Sequence, residues 1–303
     1  MFGCLHVKIN RSVSYLYYII CFVFCNYKII CNETGKNLTT FQLFDENQNF
    51  NLHSFSSKVE ELLKTQNSLL VILNTPAHNP TGFALSEEDW DSVLEVVKTH
   101  AANGKKLSIL VDIAYIDFGG EKNATRKFMT KFSNLPENIL TLFSFSMSKS
   151  FTMYGQRTGA LIAVSSSKEV IDEFKEVNKY SNRAVWSNIN RGAQAFLVAL
   201  HKDKAALASL ESERNAVCQM VQKRADVFVE EAKQCNLNFL PYKGGFFISV
   251  PAEDPAAICN ILKEELVFAV PLKLGIRVAA CSVSLKKMKG IAAKVKSAFE
   301  QRY

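Results

Sequence analysis

The sequence predicts an α/β fold, with helices flanking a mostly parallel sheet, and a smaller C-terminal α+β domain. From residue 69, short apolar runs alternate with segments of helical periodicity, which is the pattern of βαβ units. After residue 165 the chain changes to long stretches rich in Ala, Glu, Lys and Leu. Asn, Asp and Lys residues end the apolar runs, and ligands of open α/β sheets bind beyond the carboxyl ends of the strands.

Four apolar runs are expected to form strands of the large domain. They span residues 69–73, 107–111, 140–145 and 160–164. Ser86 opens a capping box, S-E-E-D, so we expect a helix that starts there and ends at Asn103-Gly104. Long helices are expected over 167–180 and 191–234, because these segments lack Pro and contain one Gly.

A second unit is expected near residue 236. Residues 239–250 are typical of a turn followed by a strand, and Asp254-Pro255 is typical of a helix start. A strand over 276–281 and a basic helix from Ser284 complete it. The expected organisation is an atypical apolar N-terminus over 1–23, a large domain over 24–215 and a small domain over 216–303.

Composition excludes several classes of protein. The 303 residues are 48% hydrophobic without a low-complexity block, which rules out collagen-like, coiled-coil and wholly disordered chains. The net charge of +7 is dispersed, and the lysines near the C-terminus indicate a solvated helix face rather than a nucleic-acid surface. Eight cysteines form no CxxC pair and no zinc spacing, so we expect reduced thiols, no metal site and a cytoplasmic protein.

The N-terminal run over 12–27 leaves alternatives open. It is uncharged, follows Lys8 and Arg11, and precedes N-x-S/T triplets, as in a secreted glycoprotein. It is shorter than the roughly 20 residues of a membrane span and has no clean cleavage site, so membrane association is disfavoured. The other interpretations are a core strand and non-native sequence at the start of a truncated chain.

Four segments carry residues suited to catalysis. They are N-T-P-A-H-N-P-T-G over 74–82, D-I-A-Y over 112–115, S-M-S-K over 146–149 with Arg157 beyond it, and G-I-R over 275–277. Lys149 ends an apolar strand, so it is expected to be partly desolvated and suited to Schiff-base chemistry near a phosphate bound by Arg157. Arg277 is suited to bidentate binding of a carboxylate. Taken singly, the first segment is more typical of a loop before a capped helix, the second of a helix cap or turn, and a single lysine among 36 basic residues indicates nothing.

In this order, the motifs N-P-T-G, D-x-A-Y and S-x-S-K followed by Arg resemble the fold-type I pyridoxal-phosphate enzymes, specifically the class I/II aminotransferases of the aspartate and aromatic kind. The resemblance runs from about residue 24 to the C-terminus. It implies the cofactor pyridoxal 5′-phosphate and transfer of an amino group between an L-amino acid, dicarboxylic or aromatic, and a 2-oxo acid. A related pyridoxal-phosphate lyase is the alternative on the same scaffold.

The resemblance also implies roles for individual residues. Lys149 corresponds to the lysine that forms the Schiff base and shuttles the proton, and Asp112 to the carboxylate paired with the pyridine nitrogen. Asn79 and Tyr115 correspond to the groups that hydrogen-bond the phenolic oxygen of the ring. Ser146 and Arg157 correspond to phosphate anchors, and Arg277 to the clamp for the substrate carboxylate; Asn79 is expected beside the substrate as well.

Two further correspondences concern Phe24 and Arg183. Phe24 lies where the family places an aromatic side chain stacked on the cofactor ring, although a core Phe fits equally well. Arg183 lies where some members hold an arginine from the neighbouring subunit that binds a side-chain carboxylate of the substrate; a surface arginine is the other interpretation. A role for Arg183 implies a homodimer.

The sequence departs from the family ahead of Phe24. The 23 residues before it include no Gly/Ser/Ala cluster that resembles the family's phosphate-binding loop at a helix N-terminus. We therefore expect a truncated chain in which the first 20 or so residues replace native sequence. The alternative function is a catalytically impaired fragment of such an enzyme.

Overall fold

The computed structural model describes residues 17–21 and 25–302, and these form two compact units. Unit 1 takes its described residues from the chain up to Thr75, from Leu85–Ala114 and from Asn123–Leu207. Unit 2 takes them from Pro76–Ala84, Tyr115–Lys122 and the chain from Ala208 onward. This division differs from the expected domains, whose boundaries stay a prediction.

Unit 1 is built on a six-stranded sheet with the order β2-β1-β3-β4-β5-β6. Its strands are β1 Tyr17–Cys21, β2 Asn37–Phe41, β3 Ser68–Asn74, β4 Lys106–Asp112, β5 Ile139–Ser146 and β6 Gly159–Val164. All neighbours are parallel except β5 and β6, which pair antiparallel. The mostly parallel α/β sheet is therefore confirmed, and the four strands expected from apolar runs each lie within one residue of their expected ends.

Strand β1 lies within the apolar N-terminal run of the sequence. Residues 17–21 pair with β2 on one side and with β3 on the other. A strand with neighbours on both sides is an integral part of a sheet, so residues 17–21 are part of the sheet of unit 1. Of the interpretations of the apolar run, the core strand describes residues 17–21.

Helices and short 3₁₀ turns connect the strands of unit 1. The helices are α1 Cys25–Glu33, α2 Leu52–Thr65, α3 Glu87–Ala102, α4 Ala124–Lys127, α5 Met147–Ser150, α6 Lys168–Val185 and α7 Arg191–Lys202. Helix α3 starts as expected, because the Ser86 side chain accepts from the Asp89 backbone N–H while the Asp89 side chain accepts from that of Ser86. The 3₁₀ turns of unit 1 include Phe128–Phe132 and Tyr154–Gln156.

The long helix expected over 191–234 is interrupted. Helix α7 ends at Lys202, and α8 Lys204–Gln234 begins after Asp203. The Asp203 carboxylate accepts hydrogen bonds from the backbone N–H groups of Ala205 and Ala206, so it caps a new helix instead of continuing the old one. An aspartate without a neighbouring Gly or Pro gave no sequence signal strong enough to place this break.

Unit 2 carries a three-stranded antiparallel sheet with the order β7-β9-β8. Its strands are β7 Phe247–Pro251, β8 Val270–Leu272 and β9 Gly275–Ala279, and its helices after α8 are α9 Pro255–Glu264, α10 Leu285–Met288 and α11 Ile291–Arg302. Asp254 caps α9 with Pro255 at its first position, as expected. The terminal helix is split into α10 and α11 at Lys289-Gly290, where Gly290 has a φ of 82°.

Each unit has its own apolar core. In unit 1, Tyr27 and Cys31 of α1 pack against the central strands with Leu70, Leu110 and Leu142. In unit 2, Phe228 of α8 is fully buried in a cluster with residues of β7, α9, β9 and α11. Among the described residues, no helix is both long and apolar enough to cross a membrane.

Candidate active site

The carboxyl ends of three parallel strands in unit 1 place polar side chains at one edge of the sheet. Asn74 is in register with Asp112, and Asp112 with Ser144. The buried Asn74 side chain donates from Nδ2 to the backbone oxygen of Asp112 at 3.0 Å. This bond joins the ends of β3 and β4, so the position of Asp112 is fixed by the sheet.

The Asp112 carboxylate is 6% exposed and accepts two hydrogen bonds. The Tyr27 phenol donates to Oδ2 at 2.5 Å, and the Ala114 backbone N–H donates to Oδ1 at 3.1 Å. Burial raises the pKa of Asp112, while the Tyr27 bond, the Ala114 bond and the positive charge of Lys149 each lower it. Desolvation therefore destabilises the charged carboxylate, and three specific partners stabilise it.

Lys149 lies in α5, the short helix that follows β5, and Ser146 caps that helix by accepting from the Ser148 backbone N–H. Burial lowers the pKa of Lys149; attraction to Asp112 raises it, and repulsion from Arg157 lowers it further. A lowered pKa increases the fraction of uncharged amine, which is the form that attacks a carbonyl carbon. The sequence prediction of a partly desolvated lysine agrees with this environment.

Arg157 adds a second cation beside Lys149. Its backbone is left-handed, with a φ of 52°, and its Nη1 donates to the Tyr154 backbone oxygen at 2.6 Å. The guanidinium lies 4.7 Å from the centroid of the Tyr154 ring. Arg157 is exposed and lines a cavity of about 500 Å³ in unit 1, together with Trp186 and Phe174. The Arg157 guanidinium therefore places a positive charge at this cavity, which suits the binding of an anion.

In unit 2, Arg277 and Asn79 are in direct contact. Arg277 Nη1 donates to the Asn79 side-chain oxygen at 3.0 Å, although the two residues lie 198 positions apart. The guanidinium also stacks over the ring of Phe247, with its carbon 4.2 Å from the centroid. Arg277 lies on β9, opposite Ser249 of β7. The guanidinium is thus oriented by an amide oxygen and by an aromatic face.

Tyr115 completes this group in unit 2. Its ring is 8% exposed and makes edge contacts with Phe246 and Phe247, at centroid distances of 5.4 and 6.0 Å. Phe246 also meets Phe118 at 4.4 Å. The Phe247 ring on which the Arg277 guanidinium stacks is therefore part of a cluster of aromatic side chains.

The loop that carries Asn79 is held by buried polar contacts. His78 Nδ1 and Thr81 Oγ1 are 2.8 Å apart, and Ser249 Oγ donates to the Pro80 backbone oxygen at 2.9 Å. Burial lowers the pKa of His78 to about 3, so the imidazole is neutral at physiological pH. Gly82, with a φ of 75°, ends the loop where an added Cβ would lie 2.2 Å from the Tyr242 ring.

A comparison with known families now bears on this geometry. The family described as aminotransferase class I and II matches residues 19–295, which is most of the chain. The chain belongs to the class I and II aminotransferases. The match begins about five residues earlier than the sequence resemblance did, and its start lies within β1.

Two relatives show how far the aminotransferase likeness extends. The aromatic-amino-acid aminotransferase of Escherichia coli K12 is 30% identical over 232 residues, covering 73% of this chain and 55% of its own length. The aspartate aminotransferase of the same organism is 24% identical over 226 residues, with the same coverage. The chain thus spans about half the length of the curated relatives that it matches.

Solved structures give the same fold. An aminotransferase from Anaerococcus prevotii superposes with a TM-score of 0.91 at 37% identity, covering 95% of this chain and 70% of that one. An aromatic-amino-acid aminotransferase from Burkholderia pseudomallei, covalently bound to pyridoxal phosphate, superposes with a TM-score of 0.77 at 23% identity, covering 94% and 69%.

Most of the predicted aminotransferase site residues fall into two groups. Unit 1 brings together Asp112, Ser146, Lys149 and Arg157, and unit 2 brings together Asn79, Tyr115 and Arg277. Arg183 belongs to neither group. It is exposed in the last turn of α6, where its Nη1 donates to Ser187 Oγ at 2.5 Å. Phe24 lies outside the described residues.

Sequence reasoning missed Tyr27 and Phe247. Tyr27 follows Phe24 by three residues, and its hydroxyl in an apolar run was a signal that a buried polar partner is required. Phe247 was expected in a strand, but its contact with Arg277 was not expected. Nothing in the local pattern distinguishes a ring stacked on an arginine from a core ring.

Proposed function

We propose that this chain acts as a pyridoxal 5′-phosphate-dependent aminotransferase, which moves an amino group from an L-amino acid to a 2-oxo acid. The observation that carries the proposal is that Lys149, a partly buried primary amine, lies within electrostatic reach of the buried carboxylate of Asp112 in unit 1. Membership of the family supports it, as do the names of the two relatives from Escherichia coli.

The residues of unit 1 fit the chemistry of this cofactor, which carries an aldehyde, a basic ring nitrogen and a phosphate. Lys149 supplies the amine for the aldehyde, and Asp112 an anion for the ring nitrogen. The hydroxyl of Ser146 and the guanidinium of Arg157 suit the phosphate. The roles at the cofactor ring that the sequence resemblance implies for Asn79, Tyr115 and Phe24 stay predictions.

When bound, the cofactor supplies an electron-withdrawing ring that stabilises negative charge at the α-carbon of the substrate. The chain supplies the proton chemistry. Lys149, whose pKa is lowered by burial, would be the amine that takes a proton from the α-carbon. Asp112 would be the anion that favours a protonated ring nitrogen. The role of Arg277 as the clamp for the α-carboxylate stays a prediction, and its contact with Asn79 orients the guanidinium.

The proposed substrates are dicarboxylic or aromatic amino acids. The aromatic surface around Arg277, formed by Phe247, Phe246 and Tyr115, supports acceptance of aromatic side chains. Binding of a dicarboxylic substrate would use Arg183 from a neighbouring subunit, which requires a homodimer. Two large apolar residues close to Arg183, Trp186 and Ile189, are 59% and 46% exposed, as expected for a surface that a second copy covers.

We also propose a cytoplasmic location. Aspartate aminotransferases described as cytoplasmic, from Caenorhabditis elegans and Dictyostelium discoideum, are 28% and 27% identical to this chain over about half of its length. Fractionation of cells that express the tagged full chain tests the location. Recovery of the chain in the membrane pellet after a high-salt wash would contradict it.

The test of function is an assay of the purified chain, reconstituted with pyridoxal 5′-phosphate, against a panel of amino acids with 2-oxoglutarate. We expect formation of glutamate from aspartate or from an aromatic amino acid, and its loss in Lys149→Ala. Lys131→Ala is the matched control, because Lys131 is another partly covered lysine that pairs with Asp91. Release of ammonia or a thiol without glutamate formation would favour the lyase, and no turnover would contradict the proposal for this chain.

A further inference from the structure

We propose that Tyr27 is a positioning residue that fixes the Asp112 carboxylate as an oriented anion for the ring nitrogen of the cofactor. This inference rests on the proposed function for the identity of the group that Asp112 meets. The contact between the two side chains is a property of unit 1 itself.

The geometry determines how the carboxylate is held. Tyr27 donates to Oδ2 at 2.5 Å and the Ala114 N–H donates to Oδ1 at 3.1 Å, so each carboxylate oxygen has one donor from the chain. A hydroxyl that donates to a carboxylate at this distance makes a strong, charge-assisted hydrogen bond. With one donor on each oxygen, rotation of the carboxylate about its bond to Cβ breaks at least one of them. Each oxygen still has a second lone pair for another donor.

The support for Tyr27 is rigid. Tyr27 and Cys31 lie one turn apart on α1, are 5% and 2% exposed, and pack against side chains of β3, β4 and β5. The phenol therefore reaches the end of β4 from a helix that is fixed to the sheet by its own apolar contacts. Because both partners are anchored by the same core, the hydrogen bond does not depend on a flexible loop.

The charge balance explains why a phenol is useful at this position. Desolvation favours the neutral acid, and the groups that oppose it are Tyr27 from α1, the Ala114 N–H after β4 and Lys149 from α5. Of these, Lys149 is the reacting amine in the proposed function, so its charge changes and it does not stabilise the Asp112 anion throughout. Tyr27 is uncharged and keeps donating throughout, so it stabilises the anion independently of the state of Lys149.

The experiment compares Tyr27→Phe with the wild-type chain in affinity for pyridoxal 5′-phosphate, by equilibrium dialysis from pH 5 to pH 9. We expect affinity to fall at least tenfold at neutral pH. The acid limb of the binding profile is expected to move to higher pH, because Asp112 is harder to ionise without the phenol. In an Asp112→Asn background, Tyr27→Phe should lower the affinity for pyridoxal 5′-phosphate less than threefold, because residue 112 is then no longer an anion that the phenol can orient.

Tyr242→Phe is the matched control. Tyr242 is another largely buried phenol, but it donates to the Gly245 backbone oxygen, at 2.9 Å, rather than to a carboxylate. The positioning role is wrong if Tyr27→Phe changes the binding profile no more than Tyr242→Phe does. It is also wrong if Tyr27→Phe lowers the affinity as much in the Asp112→Asn background as in the wild-type chain.

A second measurement separates this inference from the proposed function. Without cofactor, the loss of thermal stability caused by Tyr27→Phe should increase between pH 4 and pH 8, because the phenol stabilises the ionised Asp112 and that form gains population as pH rises. This result in a chain that binds no pyridoxal 5′-phosphate would retain the Tyr27 and Asp112 pairing while the proposed function fails. A loss that is independent of pH would overturn the pairing.

Discussion

The guanidinium of Arg277 donates to the side-chain oxygen of Asn79 at 3.0 Å, which joins strand β9 to the loop that ends at Gly82. This bond assigns the orientation of the Asn79 amide, because its oxygen accepts and its nitrogen is left as the donor. An amide donor beside a carboxylate-binding guanidinium is the arrangement that the proposed function requires of these two residues in unit 2.

Arg277→Lys is expected to raise KM for both the amino acid and the 2-oxo acid by roughly ten- to a hundredfold, which corresponds to the ~1.5 to 3 kcal/mol of a charge-assisted bond. An ammonium group cannot replace the bidentate fork or its stacking on Phe247. Steady-state kinetics provide the measurement. Arg224→Lys is the control, since Arg224 is a part-buried arginine of unit 2 that donates to the Cys281 backbone oxygen. Equal effects of the two changes would contradict the role of Arg277.

Gly82→Ala is expected to destabilise the chain by roughly 2 to 4 kcal/mol, because the new Cβ would overlap the Tyr242 ring and the Gly244 carbonyl oxygen in addition to the strain of a positive φ. Gly104→Ala is the matched control. Gly104 has nearly the same φ, 77°, but no atom lies within 4 Å of its added Cβ. Its cost is therefore limited to the backbone strain of ~1 kcal/mol. Urea unfolding measures both, and similar losses would show that the close packing at Gly82 is not important.

The buried His78 is expected to make the stability of the chain depend on pH. The pKa of His78 in the folded chain is about 3, far below its usual value of 6.5. The stability that the neutral imidazole contributes is therefore complete above pH 6.5 and is lost as pH falls from there toward 3. His78→Asn keeps a hydrogen-bonding group for Thr81 and removes the titration. We expect the free energy of unfolding of this variant to decline less between pH 6.5 and pH 4, by a few kcal/mol at the acid end. Parallel pH profiles for the two proteins would rule out this source of acid sensitivity.

The strands and caps of the fold were predictable because their signals are local. The apolar runs that became β3 to β6 end where a polar residue follows, and the S-E-E-D pattern at Ser86 carries its own hydrogen-bond partners. The break at Asp203 was not predictable, because the same residue is tolerated inside a helix. The assignment of β1 stayed open between a core strand and other interpretations, because its apolar run also fits a signal segment.

The site residues were predictable as types but not as contacts. The positions of Asn79, Asp112 and Lys149 follow from motifs, whereas Tyr27 reaches Asp112 across 85 residues and Arg277 reaches Asn79 across 198. Such contacts depend on how helices and strands pack, and no local pattern encodes them. Partial desolvation of Lys149 was predictable from the apolar run that precedes it, and in the structure this burial lowers the pKa of Lys149.

In the proposed function, the Lys149 amine is the group through which this chain binds its cofactor. The most direct measurement is incubation of the chain with pyridoxal 5′-phosphate, borohydride reduction and mass analysis of its peptides. We expect one stable adduct, on the peptide that contains Lys149, which is retained in Lys131→Ala and absent in Lys149→Arg. An adduct on other lysines at the level of random surface labelling, with none on Lys149, would contradict it.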